Sequence, residues 1–252
     1  MIDVKNIRKS YDGTVVVDGV TLSLPAGGVI SLIGANGAGK STLLSIISRL
    51  LPMSAGTVTV DGMDVTTTPG DVLARRLSIL RQDNHIMSRL TVEDLVAFGR
   101  YPHSKGRPTD ADREHVRRAL RHLDLEPLAG RFLDELSGGQ RQRAFIAMVL
   151  CQDTEYILLD EPLNNLDVKH AVAMMTLFRR TADEFGKTIV LVLHDINFAS
   201  CYSDRIVAMR DGRVVHQGPP EAIITREIIR DVYGVDASIV EVDGQRIALY
   251  YR

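Results

Sequence analysis

The stretch Gly34-Ala-Asn-Gly-Ala-Gly39-Lys40-Ser41 constrains this 252-residue chain more than any other. It has the pattern G-x-x-x-x-G-K-[ST], follows the apolar run GVISLIG and precedes STLLSIISRLL, whose apolar spacing is helical. A strand, a glycine-rich turn and a helix in that order make a phosphate-binding loop. Glycines let backbone N–H groups curl around phosphate oxygens, and the start of the helix adds a favourable dipole. In such a loop Lys40 reaches the β- and γ-phosphates, and Ser41 offers its hydroxyl to Mg²⁺.

Two further apolar runs, YILLD (156–160) and TIVLVLH (188–194), flank a helical pattern near 168–185. Strand, helix, strand predicts a parallel α/β sheet buried on both faces. Ligands of such sheets bind beyond the carboxyl ends of the strands. Asp160 stands there, suited to hold a Mg²⁺ water shell, and Glu161 follows it, suited to take a proton from water attacking a γ-phosphate. Gln82 after LSILR and His194 after IVLVL also end predicted strands. Each alone reads as a capping or turn residue; their shared position assigns them to the γ-phosphate. Tyr11, in the SYDG turn, is either a base-stacking ring or an ordinary exposed turn residue.

Elsewhere IDVKNI, VVVDGVTLSL, TVTVDG and LSILRQ have strand character up to about residue 82. From about 83 to 153 the pattern turns helical, with predicted starts at Thr91, at Thr109 (running through Leu123) and at Ser137. This helical middle reads as an insertion within the α/β core. RIVAMRDGRVVHQG (205–218) predicts a hairpin turning at Asp211-Gly212, followed by a short helix near 220–233 and a hairpin around Asp243-Gly244. The Ser137 start lies in Leu136-Ser-Gly-Gly-Gln140, which has the S-x-x-Q spacing of a capping box but places two glycines in the first turn. A plain helix start has no need of them.

The formal net charge of −2 gives no support for a nucleic-acid partner, and the arginines of 113–121 and 141–143 read as solvated helix faces. Cys151 and Cys201 lack metal-ligand spacing and read as free thiols in a reducing compartment. The N-terminus has no apolar signal core, and AFIAMVLC (144–151) and IVLVL (189–193) are too short to span a bilayer. The expectation is a cytoplasmic protein, unless something else holds it to a membrane.

Taken together the motifs resemble the ATP-binding cassette (ABC) ATPases. Tyr11 matches the adenine-stacking residue, GANGAGKST (34–42) Walker A, Gln82 the Q-loop glutamine, and LSGGQ (136–140) the signature. ILLDE (157–161) matches Walker B with its glutamate, Asp167 the D-loop aspartate and His194 the switch histidine, all in the family's order. The resemblance implies an α/β fold: a P-loop NTPase (RecA-like) core with a mixed sheet, an N-terminal antiparallel β subdomain and an inserted α-helical subdomain. Core residues would be 1–86 and 154–218, the helical signature subdomain 87–153, and a C-terminal helix and hairpin 219–252.

It further implies ATP and Mg²⁺ as cofactors. Tyr11, Gly34, Asn36, Gly37, Ala38, Gly39, Lys40, Ser41 and Thr42 would bind ATP, and Ser41, Gln82 and Asp160 would hold Mg²⁺. Glu161, His194, Gln82 and Lys40 would be catalytic. Ser137, Gly138, Gly139 and Gln140 would act on the nucleotide of a second subunit, with Asp167 at the contact, so the implied unit is a head-to-tail homodimer. Implied partners are membrane permease subunits and, indirectly, an extracytoplasmic substrate-binding protein, with no nucleic acid. The implied location is peripheral, on the cytoplasmic face of the membrane.

One departure is Asn164-Asn165, where many members have a Ser-Ala pair before Leu-Asp; Asp167 is retained. EPLNNLDVKHA and RQDNHIMSRLTVEDLVAFGRYPHSKGR are similar to the ATPase subunits of importers for iron–siderophores, haem and cobalamin, siderophore members above all. Residues around His85 to Tyr101 are expected either to form a groove for a permease helix or to pack the insertion. The rival readings are haem or cobalamin import, export, and an ABC ATPase working on nucleic acid or ribosomes. The coiled coils, paired cassettes and zinc inserts usual in that last group are missing from the sequence.

Overall fold

A computed structural model describes residues 1–82 and 88–251. Its first sheet comes from an alternation that slips once. In β1 (Ile2–Tyr11) Ile2 and Val4 point inward, but the next buried position is Ile7, three residues on. Asn6 has a left-handed backbone (φ 50°), and the pairing with β2 (Thr14–Leu24) shifts register there, so a bulge restores the apolar face. The turn between these antiparallel strands is Asp12-Gly13, both at positive φ, as a tight hairpin requires. β3 (Gly28–Ile33) is buried at every residue after Gly28, and α1 (Lys40–Ile47) buries Leu43, Leu44, Ile46 and Ile47. β4 (Ala55–Val60) pairs antiparallel with the other edge of β1, and β5 (Met63–Asp64) pairs with β4.

Two compact units divide the chain: Met1–Thr68 with Met175–Arg252, and Pro69–Met174. The second unit begins with α2 (Gly70–Leu73), β6 (Leu77–Leu80), α3 (Val92–Phe98) and α4 (Tyr101–Ser104). α5 (Asp110–His122), α6 (Gly138–Cys151) and β7 (Tyr156–Asp160) follow, and β7 lies parallel to β6. The three predicted helix starts are present, each with a reciprocal capping box: Thr91 with Asp94, Thr109 with Asp112, and Ser137 with Gln140. α3, α5 and α6 pack on one another. α2 and α4, four residues each, have no periodic signal and were not expected. Of the expected groove, His85 lies outside the described residues; Phe98 and Tyr101 are exposed.

A buried ion pair anchors the far end of α6. Arg100 donates from Nε to Asp112 Oδ1 (2.9 Å) and from Nη1 to the carbonyls of Cys151 (3.0 Å) and Gln152 (3.3 Å). The backbone N–H of Thr109, then Arg100, hold the Asp112 carboxyl well below the usual carboxylate range. Its contribution is therefore full above the unfolded-state value of about 4 and is lost as pH falls through the depressed one. Arg100→Leu leaves that carboxylate buried without its cation. It should lower unfolding free energy by roughly 3–5 kcal/mol in urea denaturation at neutral pH, and a loss under 1 kcal/mol would show the pair to be solvated.

α7 (Val168–Phe185) leads back into the first unit. There β3 lies parallel to both β8 (Thr188–Val192) and, beyond α8 (Ile196–Tyr202), to β9 (Arg205–Arg210). β10 (Arg213–Gly218) returns antiparallel to β9 through Asp211-Gly212, giving the local order β10-β9-β3-β8 in a mixed sheet. The helix expected near 220–233 is two, α9 (Pro220–Ile223) and α10 (Arg226–Tyr233), because Thr225 restarts the helix by capping Ile228 N–H. β11 (Ser238–Val242) and β12 (Gln245–Leu249) form the last hairpin. Among the described residues no helix is long and apolar enough to cross a membrane.

Candidate active site

The phosphate loop is held from several directions within its unit. Gly34 follows the last residue of β3 at φ 145°, and a Cβ there would collide with the Met209 carbonyl of β9. Ala38, buried, accepts from Gly212 N–H (3.2 Å), and Gly212 in turn accepts from Asp18 N–H (2.9 Å). Gly39, at φ 94°, occupies the N-cap of α1, and a Cβ there would lie 2.6 Å from the Val16 carbonyl oxygen. Lys40, only 5% exposed, donates from Nζ to the carbonyls of Gly34 (2.8 Å) and Ala35 (2.9 Å). Asn36 and Gly37 form the exposed tip, and Ser41 and Thr42 lie half-buried in the first turn of α1. This is a concave run of backbone with a cation folded over it, the chemistry that takes a polyphosphate.

In the other unit, β7 ends on Asp160, 5% exposed, and the chain turns sharply at Glu161, whose backbone is left-handed (φ 50°). A non-glycine residue in that conformation is strained, and such strain collects where side-chain direction matters. The Glu161 carboxylate accepts at Oε2 from Gln82 Nε2 (2.8 Å) and Asn164 Nδ2 (2.7 Å). The two amides orient the carboxylate. Sequence reasoning placed Gln82 near a γ-phosphate but missed Asn164, registering it only as a departure. The usable signal was its spacing: Asn164 is four residues past the strand end and three past Glu161, in a turn closed by its own N–H on the Glu161 carbonyl (3.2 Å).

The Leu136–Gln140 stretch is the cap that its spacing predicts. Gln140 N–H donates to Ser137 Oγ (3.3 Å), and Gln140 Oε1 accepts from Ser137 N–H (3.0 Å). Gly138 and Gly139 lie beside Asn165; a Cβ on Gly139 would be 3.5 Å from the Asn165 carbonyl oxygen. A few residues on, Asp167 accepts from both the backbone N–H and the imidazole of His170 (2.8 Å each), and these bonds, the backbone one first, hold its carboxyl below the usual range.

His194 is exposed, two residues beyond β8, and Asp195 caps α8 through the N–H groups of Asn197 and Phe198. Tyr11 is 45% exposed at the β1–β2 turn, with the Lys9 amine 5.1 Å from its ring centre. A half-exposed ring with one open face can stack on a base. Of the residues assigned to Mg²⁺, Ser41 offers a hydroxyl, Asp160 a carboxylate and Gln82, whose NH₂ is turned to Glu161, an amide carbonyl. All are oxygen donors, the ligand class Mg²⁺ takes.

Comparison with known proteins agrees with this chemistry. Residues 17–164 match the family model described as ABC transporter. The chain is 51% identical over 251 residues to a petrobactin import ATP-binding protein, YclP, of Bacillus subtilis (strain 168), covering 100% of both chains. It is 50% identical to another, FatE of Bacillus anthracis, over 99% of this chain and 100% of that one. Among solved structures it resembles a dimeric post-hydrolysis state of the ATP-binding cassette MJ0796 bound to ADP and Pi. That likeness has a TM-score of 0.79 and 30% identity, and covers 87% of this chain and 99% of that one. With a phosphate loop, an oriented glutamate and a glycine-led helix cap in place, the chain belongs to the ABC transporter family, as one of its ATP-binding, ATP-hydrolysing subunits.

Proposed function

We propose that the chain powers an importer of ferric siderophores, with petrobactin the first cargo to test, and that it does so as a head-to-tail homodimer docked on membrane permease subunits. The observation that carries the transport reading is its end-to-end similarity to petrobactin import ATP-binding proteins. Two chains would form two composite sites, each with the phosphate loop of one and the Ser137–Gln140 cap of the other. Glycines at 138 and 139 leave room for a phosphate, and the first turn of α6 presents N–H groups toward it. Asp167 would lie at the contact between subunits.

In this reading Lys40 and the partner's Ser137 stabilise charge on the transferring phosphoryl group, and Tyr11 stacks on the adenine. Glu161 takes the proton of the attacking water, and Gln82 and His194 register the γ-phosphate. Mg²⁺, held by Ser41, Asp160 and the Gln82 carbonyl, would neutralise charge on the β- and γ-phosphate oxygens. Residues 87–153 would act as the helical signature subdomain beside a core of 1–86 and 154–218, with 219–252 as a C-terminal addition. The working location would be the cytoplasmic face of the membrane, with a substrate-binding protein feeding the permease from the other side.

Deletion of the gene followed by uptake of radiolabelled ferric petrobactin, another ferric siderophore, haem and cobalamin tests the cargo. Loss of siderophore uptake alone is expected. Loss confined to haem or cobalamin would reassign the cargo, and full uptake of all four would end the importer reading.

A further inference from the structure

The C-terminal segment makes a contact with the phosphate loop that neither motif nor spacing foretells. Tyr233, the last residue of α10, accepts at its hydroxyl from the Gly34 N–H (3.0 Å). Gly34 has no side chain and a backbone (φ 145°) that glycine adopts freely, so left to itself its peptide groups can rotate. Its carbonyl accepts from Lys40 Nζ. One residue is thus gripped on its N–H side by Tyr233 and on its C=O side by the phosphate-binding lysine.

We propose that Tyr233 is a positioning residue for ATP binding: its hydroxyl fixes Gly34, and through Gly34 the start of the phosphate loop and the resting place of the Lys40 amine. The support behind Tyr233 is itself anchored. Arg226, at the other end of α10, donates to the Ala237 carbonyl (3.1 Å), at the entry to β11. The β11–β12 hairpin is tied to α8 by Asn197, which accepts from Ala248 N–H (2.8 Å) and donates to the Ala248 carbonyl (3.3 Å). Ser200 adds a bond to the Arg246 carbonyl (2.6 Å). Burial pushes the Tyr233 hydroxyl up to about 12, so it stays neutral at working pH. Residues 225–249 therefore brace the loop from outside the 17–164 span of the family model.

The test compares two single-bond deletions at opposite ends of β3. Tyr233→Phe removes the acceptor of Gly34 N–H; Thr188→Val removes the acceptor of Gly27 N–H (2.8 Å), far from the loop. ATP and ADP binding to the full chain is measured by calorimetry, with melting temperatures alongside. Tyr233→Phe should weaken ATP and ADP by the same factor, about 5–20-fold, because a smaller fraction of loops is competent to bind. Thr188→Val should lower the melting temperature and leave both affinities within twofold. Unchanged affinities in Tyr233→Phe, or equal weakening in both variants, would overturn the proposal. Since binding rather than uptake is read, failure of the cargo assignment leaves this result untouched.

Discussion

Glu161→Gln should reduce ATP turnover by about 10²–10⁴-fold, the range a positioned general base supplies, while ATP still binds. Glutamine keeps the length and shape of glutamate, and its amide oxygen can accept from the same two donors, Gln82 Nε2 and Asn164 Nδ2. The strained turn at φ 50° is therefore retained and only the proton acceptor is lost. Steady-state phosphate release and equilibrium ATP binding, measured on the same preparation, separate the two effects. Turnover within tenfold of the parent would remove Glu161 from the base role. Asn164→Ala, which deletes one of the two orienting bonds, should give a smaller loss than Glu161→Gln.

The second large effect is expected at Gly39. Alanine there meets a left-handed backbone (φ 94°) and places its Cβ 2.6 Å from the Val16 carbonyl oxygen and 3.5 Å from the Gly212 Cα. Both neighbours are backbone, so neither can swing aside as a side chain would. Backbone strain of about 1–3 kcal/mol plus the clash should weaken ATP by at least about 100-fold. Gly37→Ala is the internal comparison. Its φ is also positive, 80°, but nothing lies within 4 Å of the added carbon, so the loss should be only about 5–20-fold. Equal losses for the two variants would show that strain alone, not the Val16 contact, makes the glycine necessary.

Local chemistry made most of the fold legible. β7 and α7 have the limits their apolar runs suggest, and Thr91, Thr109 and Ser137 cap the helices they were expected to start. Asp-Gly pairs mark the turns of four hairpins, Asp61-Gly62 between β4 and β5 among them, because both residues must take positive φ there. Short helices escaped notice. α2, α4 and α8 are four to seven residues long and are set by caps and packing rather than by an apolar period. The motifs were legible, but the hydrogen-bond partners of their residues were not. Nothing local in Asn164 or Tyr233 announces a bond to Glu161 or Gly34, and the second of these spans 199 positions of sequence. The two glycines of the LSGGQ stretch were the informative anomaly. The cap at Ser137 and Gln140 accounts for the polar residues at its ends but not for Gly138 and Gly139.

In the proposed homodimer those glycines would be accounted for, because the Ser137 cap would meet a nucleotide held by another copy of the chain. The most direct measurement of that claim is the mass of Glu161→Gln by sedimentation velocity with and without Mg-ATP. Two chains with two trapped nucleotides are predicted in ATP, returning to one chain when Ser137→Arg is added to block the approach of phosphate. A single chain at saturating ATP, or a dimer indifferent to both nucleotide and Ser137→Arg, would contradict it.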